Sequence, residues 1–153
     1  MNKKKLILIL TTLVLAVSAA IILMFAFIER PAFSGIEKDE ISSVSYFIYY
    51  FEDDEPVYLP LPEENYDELL ELMDAIKIKG FNDPEAENYT GGTGFMFIIY
   101  MKDGTKIEFS STNPHMKING RYYRTEYKPA NDLYEFWRGF VNSGRKAYGV
   151  PEL

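Results

Sequence analysis

Few side chains in this sequence have the types and spacing that chemistry needs. His115 is the sole histidine, and there is no cysteine. A single imidazole without a thiol makes a poor metal site and only half of an acid–base pair. The missing cysteine also removes disulfides, thiol nucleophiles and thiolate metal ligands. Glu52, Asp53, Asp54 and Glu55 put four acids in a row, but they lack the alternating spacing and later Glu of a calcium loop. They read as a solvated turn.

Gly91, Gly92, Thr93 and Gly94 resemble a phosphate loop only superficially. They precede a strand, whereas phosphate loops follow one and open a helix with a lysine in place. Asn88-Tyr89-Thr90 fits the glycosylation pattern, a short motif that is frequent by chance. No serine has a base at recognisable spacing.

Two groups fit contact better than catalysis. Glu63, Glu64, Asp67, Glu68, Glu71 and Asp74 line one helical stretch with no basic residue among them. Of these, Glu64, Asp67, Glu68 and Glu71 are candidates to meet a basic partner; otherwise they are a solvated helix face. Tyr46, Tyr50 and Tyr100 belong to strands that are apolar or aromatic on both faces. Tyrosine tolerates exposure and is enriched at interfaces, so these three are the other candidate contact residues.

These residues need elements to position them. Ile41–Phe51 is β-branched and aromatic, a strand; Val57–Leu61 is a second, short one, confined to an edge by Pro60. Pro62–Lys77 is a helix, with Tyr66, Leu69, Leu70, Met73 and Ile76 on one face. Ile78–Phe81 allows a short strand, and residues 82–94 read as a polar loop. Gly94–Ser111 is a hairpin.

The register of that hairpin can be argued. A loop of Lys102, Asp103 and left-handed Gly104 pairs Ile99 with Ile107 and Phe97 with Phe109. A two-residue turn would set Ile99 against Glu108 instead. The first register gathers the apolar side chains on one face, so it is the expected one. A second hairpin, His115–Tyr127, turns at Asn119-Gly120. The last helix is expected to start at an Asn131 cap, to bury Leu133, Phe136, Trp137, Phe140 and Val141, and to end at Gly144. The fold expected is α+β: a small antiparallel sheet with both helices on one face.

The N-terminal part is different in kind. Residues 1–5 form a basic stub with Lys3, Lys4 and Lys5, and Leu6–Ile28 is a run of 23 residues without a charge. As a helix that run spans about 35 Å, against a hydrocarbon core of about 30 Å. The lysines on one side place the N-terminus in the cytoplasm and the domain outside. Val17-Ser18-Ala19 offers a signal-cleavage site. However, cleavage there would leave a very apolar new terminus, and the run exceeds the usual signal core. The expectation is an uncleaved single-pass anchor at 6–28, a linker at 29–40 and an extracytoplasmic domain at 41–153.

Charge narrows the partners. Before Pro31 stand four basic residues and one acid, so from totals of 16 and 23 the remainder keeps 12 basic and 22 acidic residues. Phosphate backbones are bound through Lys and Arg, so a nucleic-acid partner is not expected. The lysine-led anchor, the MKDGTKIEF and INGRYY hairpins and the closing NDLYEFW helix resemble small single-span exported proteins of unknown function in low-GC Gram-positive bacteria. They are also similar to outer sensor domains attached to some membrane metallopeptidase-type receptors. The resemblance carries no catalytic residue; the missing catalytic motifs and the surplus of aromatic side chains lead to the expectation of a non-catalytic binding, sensing or accessory domain, without cofactor, that acts on an envelope protein, peptide or ligand. The alternatives are a carboxylate-dependent envelope enzyme and a purely structural envelope protein.

Overall fold

The computed structural model describes residues 2–48, 57–80, 82–83, 86, 94–112 and 115–147. Helix α1 runs Lys3–Phe27, and the Asn2 side chain caps it by accepting from the Lys4 amide. The Thr11 and Thr12 hydroxyls donate to the carbonyls of Ile7 and Leu8, so the polar side chains are satisfied within the helix. It is long and apolar enough to cross a membrane by length and composition.

The segment expected as a linker, 29–40, is instead part of the fold. Arg30–Pro31 form β1, which pairs antiparallel with β4, Lys77–Lys79. The Ala32 amide donates to the Ile76 carbonyl, and Phe33 is buried with its ring 4.9 Å from that of Phe109. The physical reason lies in Phe33 and Ile36. These apolar side chains reach the core only if the chain stays beside the edge offered by β4. One turn of 3-10 helix at Lys38–Glu40 then leads into the sheet.

Among the described residues the remaining strands are β2 Ile41–Ile48, β3 Val57–Pro60, β5 Met96–Met101, β6 Lys106–Thr112, β7 His115–Ile118 and β8 Arg121–Thr125. They make one eight-stranded antiparallel sheet in the order β1-β4-β8-β7-β6-β5-β2-β3. The β5–β6 hairpin pairs Ile99 with Ile107 and Phe97 with Phe109, with Gly104 at φ 88°. This is the register of the three-residue loop. Asp103 holds the turn by accepting from the amide and hydroxyl of Thr105, which keep its carboxyl below the usual carboxylate range. In the β7–β8 hairpin Asn119 and Gly120 both have positive φ, the signature of a two-residue primed turn.

Helix α2, Tyr66–Asp74, follows a 3-10 turn at Glu63–Asn65 and buries Tyr66, Leu69 and Met73. Helix α3, Tyr127–Ala147, is longer than expected at both ends. It starts four residues before Asn131 because Pro129 falls at its third position, where no helical acceptor awaits its missing N–H. Gly144 lies inside it and is no cap. A Cβ there would stand 3.0 Å from Ile48 Cδ1 and 3.5 Å from Leu59 Cδ1, so glycine lets the helix lie against β2 and β3.

Both helices cover one face. Leu69 and Met73 of α2 and Leu133, Trp137 and Val141 of α3 share a core with Val44, Ile48, Phe97, Ile99, Phe109 and Met116. The Trp137 indole N–H donates to the Phe47 carbonyl at 2.9 Å and ties α3 to β2.

Candidate functional site

The strand period sets two populations of side chains. In β2, Val44, Tyr46 and Ile48 face the helices, whereas Ser45 and Phe47 face away. Pairing carries this alternation across the sheet. Phe47 lies opposite Tyr58, and Tyr100 lies opposite Lys106. The face away from the helices therefore bears Phe47, Tyr58, Met96, Ile98 and Tyr100 at one end, with Lys106 and Glu108 beside them.

Two of these rings are open to solvent: Tyr58 is 44% exposed and Tyr100 42%. Tyr58 packs on Phe47 with centroids 5.6 Å apart, and its hydroxyl lies 3.8 Å from the Met96 sulfur. Phe47 and Ile98 on the same face are buried. Lys106 Nζ lies 2.9 Å from Glu108 Oε2, and that carboxylate raises the lysine pKa.

Tyr46 does not belong here. It is 6% exposed, pairs with Phe97 and packs its ring 5.7 Å from Phe140 of α3. Its parity in β2 turns it to the core, so it is a packing residue and cannot meet a partner across the open face. Tyr50 lies outside the described residues, as do the acidic run 52–55, the glycines 91–93 and the Asn88-Tyr89-Thr90 motif.

The acidic candidates are all exposed. Glu64 sits on the 3-10 turn, and Asp67, Glu68 and Glu71 on α2. Asp67 pairs with Lys38 at 2.6 Å. Because α2 covers the core face, these acids and Tyr100 lie on opposite sides of the sheet and do not form one surface.

The far end of the sheet face away from the helices holds His115, opposite Arg124 in the β7–β8 register and covered there by the chain at Asn82 and Asp83. It is 4% exposed, with Nε2 3.6 Å from Asp83 Oδ2; Arg124 Nε approaches the same oxygen at 3.9 Å. Gly80, at φ 75°, lets the chain turn after β4 so that Asn82 and Asp83 bond to the backbone of Tyr122. Neither separation from Asp83 is a hydrogen bond. The imidazole is packed into the fold.

Among the described residues two carboxyls have a displaced pKa, Glu29 and Asp103, and each is shifted downward. The Lys79 ammonium lowers Glu29, and the Thr105 hydroxyl and amide lower Asp103. A general acid near neutral pH needs the opposite shift. Among the described residues no group of three His, Asp or Glu side chains could hold a metal ion.

Sequence reading missed Tyr58 as an exposed ring on the face that bears Tyr100. Its signal was present: it alternates with Val57 and Leu59, on a strand that Pro60 restricts to an edge. Nothing in the sequence links Asp83 to His115. No protein-family model, curated protein or solved structure matches this chain.

Proposed function

We propose that this chain is a single-pass membrane protein whose α+β domain works by contact, as a non-catalytic binding, sensing or accessory module for an envelope protein or peptide. In this reading α1 crosses the cell membrane, the lysine stub stays in the cytoplasm and the domain lies outside. The supporting observation is the pair of half-exposed tyrosines, on β3 and β5, at the sheet face away from the helices. Tyr46 and Tyr66 on the helix side are 6% and 7% exposed, whereas Tyr58 and Tyr100 on the open side are 44% and 42% exposed. Half-exposed tyrosines beside the apolar side chains of Phe47 and Ile98 match the anatomy of a contact surface.

The test is the double variant Tyr58→Ser with Tyr100→Ser, produced in native membranes and treated with a short chemical crosslinker. The expected result is an unchanged unfolding midpoint together with loss of the crosslinked species formed by the unsubstituted protein. Retention of that species would place the contact elsewhere.

A further inference from the structure

The geometry points to a rigid joint: the apolar helix and the sheet turn as one body, so α1 fixes the direction in which the open face looks. Only Ile28 and Glu29 separate α1 from β1. The Ile28 amide still donates to the Met24 carbonyl, which leaves Glu29 as the one residue outside both ladders.

Several ties of different kinds hold the exit. Arg30 and Pro31 pair with Ile78 and Lys77, and the Ala32 amide continues the bonding to Ile76. The Arg30 guanidinium donates to the Gly80 carbonyl at 2.9 Å and stands 5.7 Å from the centre of the Tyr123 ring. It thereby bridges β1, the end of β4 and β8. Glu29 pairs with Lys79 at 2.5 Å; the pairing lowers the glutamate pKa and raises the lysine pKa. Such an exposed ion pair contributes little by itself. The ladder, the arginine and the burial of Phe33 carry the joint, and Glu29–Lys79 is the one ion pair that spans from the helix exit to β4 among the described residues.

Domains on short tethers normally swing against their neighbours. Here the tether has been absorbed into the sheet, and β4 links through β8 to the rest of that sheet. Any tilt or rotation of α1 is therefore handed to the strands bearing Tyr58 and Tyr100. The inference concerns the joint alone, and it holds whether or not those tyrosines meet a partner.

The chain has no cysteine, so introduced ones are unique. Spin labels at Ser18→Cys on α1 and Ser143→Cys on α3, both exposed positions, report the distance across the joint in the full chain held in lipid nanodiscs. A narrow distance distribution is expected. Inserting Gly-Ser-Gly between Ile28 and Glu29, outside every strand, should broaden it at least twofold without altering Trp137 fluorescence. If the unmodified joint is as broad as the insertion variant, or if the insertion leaves the width unchanged, the rigid joint is wrong.

Discussion

Tyr46 and Tyr100 have the same side chain on neighbouring strands and lie on opposite faces of the sheet. In β2 the even positions 44, 46 and 48 face the helices; in β5 the odd positions 97 and 99 do. Composition cannot reveal this difference when both faces of a strand are aromatic, and that is why Tyr46 reads from sequence as a contact residue. Parity against a paired strand decides it, and the pairing of Tyr46 with Phe97 becomes visible only in three dimensions. The consequence is measurable by urea unfolding. Tyr46→Ala removes a buried ring and should cost about 3–5 kcal/mol. Tyr100→Ser should stay within about 0.5 kcal/mol, as exposed substitutions do. Equal costs at the two sites would contradict the assignment of faces.

Among the elements, those with strong local signals were legible. Asp103-Gly104 and Asn119-Gly120 supply the positive φ values their turns need, and the hydrophobic alternation around the first of them selects its register. The apolar spacings of α2 and α3 announce which side each buries. Three features were not legible because they depend on long-range packing. A two-residue strand such as β1 has no period to detect. The early start of α3 runs through a proline that only helix position excuses. Gly144 looks like a cap in a linear reading, yet it is a point of close approach between a helix and the sheet. Gly144→Val tests that role: the added carbons would press on Ile48 and Leu59. Overpacking of this kind costs about 1–3 kcal/mol, opposing the gain in helix propensity over glycine. A stabilised variant would contradict the close approach of α3 to Ile48 and Leu59.

Across the whole molecule, charge and apolar surface are divided. Acidic α2 lies outside the core face, an aromatic surface occupies the opposite side of the sheet, and the apolar helix leaves from the β1–β4 edge. The proposed topology places all of the sheet outside the cytoplasm. A unique cysteine at Ser143 should then react with a membrane-impermeant maleimide added to intact cells, whereas one at Asn2 should react only after permeabilisation. The opposite pattern would invert the topology.

The proposal as a whole rests on the open face meeting a partner, and site-specific photocrosslinking in native membranes tests this most directly. A benzophenone side chain placed at Tyr100 should give one discrete crosslinked product. The same group at Glu135, an exposed position on α3, should give none. A product from position 135 with none from position 100 would contradict the account and move the contact surface to the helical side.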